Sequence, residues 1–344
     1  MKAWRTYAYG DMRLEDVSEP EPPAGWVKVR IRIAQPSITE IALFHGQRTY
    51  GHRLIETALA RGPSLLFGHE FSGEVVAVGE GVTSLRAGDR VAARGSHPDG
   101  IVGFDYPGAF AEYGVFPASL FVVLPAHVDD SEGAAIQPLT DAVAAVHAAQ
   151  IRLGDSVAVI GQGSMGLGCL QVARTAGAGR TIAIARREQT LAMAERLGAD
   201  HVVNATREDP VAAVQALTGG GADVVFETAA GPVTRGLAGD ATLQQAGAMA
   251  RPEGTVVPVA FTEGAMPIPL EVYRGRGLRL VYPSLLDRRL FETTLRLVSS
   301  GRVELRPTIN CILDGIEQLP AAFAMTADKA RHGLINPAQV RIAQ

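Results

Sequence analysis

Apolar and polar positions divide the chain into two regimes. Residues 27–33 alternate, and 71–78 and 89–93 follow as short runs bounded by glycine, so the first part reads as a lobe of β-strands joined by turns. From about Leu139 the pattern changes to short all-apolar runs separated by longer helical stretches. Strands without a polar face belong to a parallel sheet covered on both sides. We place them at 156–160, 181–185, 201–204, 223–227, 255–260 and 278–281, with helices between. A helix over 288–299 then leads into mixed structure that returns to the first lobe. The pattern predicts an α/β protein of two domains. One is β-rich, from 1–138 and 284–344; the other, from 139–283, is a doubly wound parallel sheet.

Composition narrows the function. The formal charge is -4 and the basic residues are scattered, which argues against a nucleic-acid partner. Cys169 and Cys311 are too few for a disulfide framework or a four-cysteine zinc site and fit a reducing compartment. No apolar run reaches the ~18 residues of a membrane span and no secretory signal opens the chain, so we expect a cytoplasmic protein without a membrane partner.

The clearest chemical signal is Gly161-Gln162-Gly163-Ser164-Met165-Gly166, which follows the apolar run Val157-Ala158-Val159-Ile160 and opens a helix. In that setting Gly161 permits the tight turn, Gly163 lets the backbone approach a pyrophosphate, and Gly166 lets helix and strand pack closely. The helix start, with Ser164 and Met165, offers N–H groups and partial positive charge to the phosphates. This is a dinucleotide-binding Rossmann turn. About twenty residues on, where an NAD site places a carboxylate for the ribose, the chain reads Ala185-Arg186-Arg187. Two guanidinium groups suit a 2′-phosphate, so NADP(H) is the expected cofactor; the alternative is that both arginines are solvated and Glu188 contacts the ribose.

The string Gly68-His69-Glu70-Phe71-Ser72-Gly73-Glu74-Val75, then Ala87-Gly88-Asp89-Arg90-Val91, Gly108-Ala109-Phe110-Ala111-Glu112-Tyr113 and Leu124-Pro125, runs in order up to the nucleotide turn. It closely resembles the medium-chain dehydrogenase/reductase superfamily in its zinc alcohol dehydrogenase-like branch. The resemblance implies a GroES-like catalytic domain built from both chain ends, a central Rossmann domain, and homodimers or homotetramers. It also implies a catalytic zinc held by the cysteine of a C-G-[ST]-D motif, the histidine of G-H-E, and a third cysteine or glutamate. Here the first motif reads Ser37-Ile38-Thr39-Glu40, and the third position carries Gln137. Neutral oxygen and amide groups bind zinc weakly, so zinc is expected to be absent. Were it retained, His69, Glu70 and Gln137 would be its ligands. The interval 92–107, where relatives carry a four-cysteine zinc lobe, holds no cysteine.

Without a metal, His69 is the expected general acid, with Glu70 raising its pKa or taking the proton itself, and Thr39 relaying it. The resemblance places Thr140 beside the nicotinamide, with Thr228 to Ala230 and Val259 to Phe261 following later strands. His45, Tyr50 and His52 lie in a polar stretch that lines the substrate cleft or is simply a solvated loop. The leading expectation is an NADP(H)-dependent enzyme interconverting an alcohol and a carbonyl on a small molecule. The rivals are a zinc-free reductase of activated C=C bonds and a dinucleotide sensor without activity. Substrate identity has no readable code.

Overall fold

The computed structural model describes residues 1–49, 51–97, 100–231, 239–261, 268–284 and 287–343. In chain order, strands β1 (Lys2–Ala8), β2 (Asp11–Asp16) and β3 (Trp26–Gln35) precede helices α1 (Ile38–Phe44) and α2 (His52–Leu59). Next come β4 (Glu70–Val78), β5 (Arg90–Ala93), β6 (Ser96–His97), β7 (Gly100–Ile101), β8 (Tyr113–Pro117), β9 (Phe121–Val123) and α3 (Asp130–Ala149). An alternating series follows: β10 (Ser156–Ile160), α4 (Ser164–Thr175), β11 (Arg180–Ala185), α5 (Glu188–Arg196), β12 (His201–Asn204), α6 (Pro210–Thr218), β13 (Ala222–Glu227), α7 (Ala241–Met249), β14 (Ala250–Pro258), α8 (Leu270–Arg276) and β15 (Arg279–Leu280). The chain finishes with α9 (Arg288–Ser299), β16 (Ile312–Asp314), α10 (Leu319–Ala327) and β17 (Gln339–Arg341).

Two compact units result. The first comprises Met1–Gln137, Phe291–Ser299 and Ile309–Gln344; the second comprises Pro138–Leu290 and Ser300–Thr308. The first division falls inside α3 at Pro138, whose ring removes an amide donor from the helix interior. The second unit runs on to Leu290 and also takes Ser300–Thr308, whereas the sequence pattern assigns 284–344 to the first. The Gln171 side chain holds the later segment there: its amide donates to the Glu304 carbonyl at 3.2 Å and its oxygen accepts the Glu304 N–H at 2.8 Å.

In the first unit a sheet runs β16-β17-β3-β4-β5-β9, with β8 also paired to β3. The alternation read at 27–33 is the core face of β3, where Val27, Val29 and Ile31 are fully buried. They pack with Phe71, Phe116, Phe323 and Val340. Both chain ends join this unit: β17 pairs antiparallel with β3, and the Trp4 indole donates to the Ile316 carbonyl at 2.9 Å. The interval 92–107 carries only the short β6–β7 hairpin among its described residues.

The second unit is a six-stranded sheet in the order β12-β11-β10-β13-β14-β15, parallel at every pairing. The chain steps outward from β10 to β12, then crosses to the other side for β13. Loops leaving the carboxyl ends of β10 and β13 therefore diverge at a switch point, where such sheets bind ligands. Strand β14 begins at Ala250, five residues before the pattern places it, because Ala250 pairs with Ala222 across an irregularity in register. Among the described residues no helix is long and apolar enough to cross a membrane.

Candidate functional site

Each unit carries one constellation. In the first, Ser37 ends the run from β3 and caps α1. Its Oγ accepts the Glu40 N–H at 3.0 Å, while Glu40 Oε2 accepts the Ser37 N–H at 2.9 Å, a reciprocal capping box. The other oxygen of Glu40 faces the Gly68-His69-Glu70 segment. It accepts the N–H of Gly68 at 2.5 Å and of His69 at 3.1 Å, and lies 2.7 Å from His69 Nδ1. Glu40 is 0% exposed. Burial by itself would push its carboxyl up, but the adjacent His69 ring and the backbone N–H donors outweigh that and hold it below the usual carboxylate range.

The segment bearing His69 is held in an uncommon backbone. Phe67, a non-glycine residue, has φ 68°, and Gly68 has φ 84°. A Cβ on Gly68 would meet the Ala109 and Phe110 amides at 2.7 and 2.9 Å, so the Gly108-Ala109-Phe110 string forms the floor beneath G-H-E. The His69 side chain is 14% exposed, and its Nε2 lies 3.9 Å from Glu70 Oε1. The Phe104 ring stands 6.0 Å from the imidazole.

The carboxylate on His69 Nδ1 is thus Glu40, while the sequence neighbour Glu70 lies on the Nε2 side of the ring. Glu70 Oε2 instead accepts from Gln35 Nε2, and Gln35 Oε1 accepts from Asn336 and Gln339. Glu40 escaped sequence reasoning, although Ser37-x-x-Glu40 before an apolar run is itself a capping-box signature. Thr39 sits in the first turn of α1, beside Glu40. Gln137 comes close to His69: a Cβ on Gly95 would meet Gln137 Cγ at 3.0 Å and the His69 carbonyl at 3.3 Å.

The polar stretch behind α1 is not all loop. His45 is the C-cap of α1, and His52 begins α2, pairing with Glu56 at 3.6 Å and stacking on Tyr9. Tyr50 lies outside the described residues. A cavity of about 640 Å³ is lined by Arg48, Thr49, His52 and Arg53 among others, but by neither His69 nor Glu70.

In the second unit β10 runs into the glycine turn. Gly161 has φ 93°, and a Cβ there would meet Ala229 Cβ and Thr228 Oγ1 at 2.8 Å. A Cβ on Gly166 would stand 1.7 Å from the Gly161 carbonyl oxygen. Gly163 is the N-cap of α4 with no side-chain cap, so the helix start at Ser164 and Met165 presents backbone N–H groups as phosphate sites do. A Cβ at Gly161 or Gly166 would thus collide with the turn itself, so the close approach of strand, turn and helix requires glycine at both positions.

At the end of β11 Arg186 is exposed, and Arg187 is the half-buried N-cap of α5, where burial draws its guanidinium below the ordinary value. Glu188 is engaged by Arg207 at 2.9 Å and by Asn204 Nδ2. Thr140 is buried in α3. Thr228 Oγ1 donates to the carbonyls of Ile160 and Gly161 at 2.8 and 2.9 Å, so its hydroxyl braces the glycine turn. Val259 N–H bonds the Glu227 carbonyl at 2.8 Å, and Phe261 is exposed.

Comparison with known proteins agrees with this geometry. Residues 23–126 match the alcohol dehydrogenase GroES-like domain, and residues 164–300 match the zinc-binding dehydrogenase family. L-threonine 3-dehydrogenase of Bacillus velezensis is 31% identical over 320 residues, 86% of this chain and 87% of that protein. The crystal structure of 2R,3R-butanediol dehydrogenase from Bacillus subtilis superposes with a TM-score of 0.83 at 26% identity, covering 99% of both chains. A dehydrogenase of Sinorhizobium meliloti 1021, solved bound to NADP, gives 0.81 at 25% identity over 99% of this chain and 98% of that one. The chain belongs to the medium-chain dehydrogenase/reductase superfamily, in its zinc-type alcohol dehydrogenase-like family. It is an oxidoreductase of alcohols and carbonyls that uses a nicotinamide cofactor, with a GroES-like domain and a Rossmann domain.

Proposed function

We propose that the protein interconverts an alcohol and a carbonyl on a small organic substrate with NADP(H), in the cytoplasm, and does so without a catalytic zinc. The observation that carries the zinc-free reading is Ser37. It stands where the resembling motif has a cysteine, and its hydroxyl is committed to capping α1. Of the four positions in question only His69 and Glu70 bear groups that zinc favours, and one oxygen of Glu70 is held by Gln35. Among the described residues no three His, Cys, Asp or Glu side chains gather as a metal-holding group. The donor set does not fit a tetrahedral zinc.

The nicotinamide carries the hydride, and the chain must then manage one proton. With Glu40 held ionised against Nδ1, that nitrogen keeps its hydrogen, and Nε2 is left to exchange a proton with the substrate oxygen. Glu70, near Nε2, and Thr39 are the residues we assign to the onward path of that proton. Freshly purified protein should contain sub-stoichiometric zinc by plasma mass spectrometry. One zinc per chain that disappears in His69→Ala would overturn the zinc-free reading, and turnover of enones alone, with no alcohol or ketone accepted, would overturn the reaction class.

The NADP(H) assignment rests on Arg186 and Arg187 following β11 and on the capture of Glu188 by Arg207 and Asn204, which draws that carboxylate into another pairing. The NADP-bound relative supports it. Arg186→Asp removes a phosphate partner and adds repulsion, so NADPH affinity should fall by about tenfold to a hundredfold while NADH affinity changes little. Equal losses for the two nucleotides, measured by fluorescence titration, would refute it. The assembly we propose is a homodimer or homotetramer, which light scattering resolves.

A further inference from the structure

Gln35 ends β3, and the antiparallel register of β3 with β4 sets it directly opposite Glu70, the first residue of β4. The pair closes the ladder where the chain delivers its proton-handling side chains: Thr39 and Glu40 follow β3 on α1, and His69 precedes β4. Along its other edge β3 pairs with β17, Val340 opposite Ala34, which brings Gln339 to the same end of the sheet. Asn336 arrives from the segment just before β17. Three side-chain amides thus meet one carboxylate, and all four side chains are buried.

Their hydrogen bonds run in one direction. Gln339 Nε2 donates to the Ser131 carbonyl at 2.8 Å and to Gln35 Oε1 at 2.9 Å. Asn336 Nδ2 also donates to Gln35 Oε1, and Gln35 Nε2 donates to Glu70 Oε2. Chemistry fixes both ends, because a backbone carbonyl and an ionised carboxylate accept and cannot donate. Turning the Gln35 amide over would set its NH2 against two donors and its oxygen against Glu70. The arrangement also carries a cost: Gln339 Oε1 is buried without a partner among the described residues, and an unmet buried acceptor is destabilising. Apolar side chains would fill this space without that cost. What the amides achieve is to hold one NH2 on Glu70. With Oε2 anchored in this way, Oε1 is the oxygen left toward the imidazole, 3.9 Å from His69 Nε2.

We propose that Gln35 is a positioning residue for the reaction: held by Asn336 and Gln339, its amide anchors one oxygen of Glu70 and so keeps the other beside His69 Nε2, where the proton is passed on. This rests on the assignment of His69 and Glu70 to proton handling made above and names the residue that aims Glu70.

The test is a double-mutant cycle in steady-state kinetics on the full chain. The probes are whichever of NADPH and NADH the wild type uses better and the member of an aldehyde and ketone panel that it reduces fastest. Gln35→Met is close to the wild-type shape and has no donor, so kcat should fall by roughly tenfold, the worth of about one hydrogen bond to a charged group, with both KM values within about twofold. Glu70→Gln should lower kcat by at least about tenfold. In the Glu70→Gln background Gln35→Met should cost less than about twofold more, because no carboxylate is left for Gln35 to aim. A residue that merely held the fold would cost the same in both backgrounds. Gln35→Glu takes the same two amide donors and offers none to Glu70; it should behave as Gln35→Met and serves if that variant does not fold. Equal losses in the two backgrounds, an unchanged kcat in the Gln35 variants, or a loss that falls on KM would overturn the proposal. A wild type that reduces no carbonyl compound would overturn the alcohol–carbonyl reading itself, and the proposal with it.

Discussion

Replacing Glu40 by glutamine should lower the melting temperature by roughly 6–12 °C, the reading of about 3 kcal/mol lost from a unit of this size. Glu40 serves four N–H donors with two oxygens: Ser37 on one side, Gly68, His69 and the His69 ring on the other. Glutamine has one acceptor oxygen, so its NH2 must face N–H groups on one side or the other, and buried donors are left unpaired. The same change should reduce kcat by at least about a hundredfold, because His69 loses the partner that fixes which nitrogen carries hydrogen. Glu40→Asp, which keeps the charge, should lose less of both. A glutamine variant that melts with the wild type would show that the buried carboxylate does not hold this segment.

The sign of the pH dependence follows. The carboxyl of Glu40 titrates below its ordinary value of 4.5 in the folded protein. Its contribution is therefore fully present above that pH and fades as the pH falls through the lower, folded value. The wild type should lose stability steeply below pH 4.5, and the glutamine variant should lose less over the same interval, by thermal melts in matched buffers.

Gly166→Ala should abolish useful nucleotide binding, with a loss of about a hundredfold or more, corresponding to roughly 3 kcal/mol of overpacking. The added methyl group would lie 1.7 Å from the Gly161 carbonyl oxygen, so α4 must lift from the turn that β10 feeds. Two residues along the same helix, Gly168→Ala brings its Cβ only to 3.0 Å from Ala142 Cβ and 3.2 Å from Leu139 Cδ1. That contact is tight but yielding, and the helix gains about 1 kcal/mol of propensity, so this variant should bind nucleotide nearly as the wild type does. Similar affinities for the two variants in calorimetry would mean that the glycine turn does not hold the cofactor.

The sequence by itself determined the architecture of the second unit, its glycine turn and the presence of Arg186 and Arg187 behind β11. Periodicity marks a strand because each residue's burial follows from its place in the pleat, and a phosphate turn must be contiguous, since consecutive amides make it. Two matters were left to tertiary structure: that the carboxylate on His69 Nδ1 is Glu40, 29 positions away, and that Glu227 bonds both the turn after its own strand and the turn after β14. It also decided that the stretch carrying His52 coils into α2 and that residues 300–308 join the Rossmann unit through Gln171. A buried carboxylate takes whichever donors the packed backbone brings within about 3 Å, and that choice is made by chain segments far apart in sequence, so no local pattern records it.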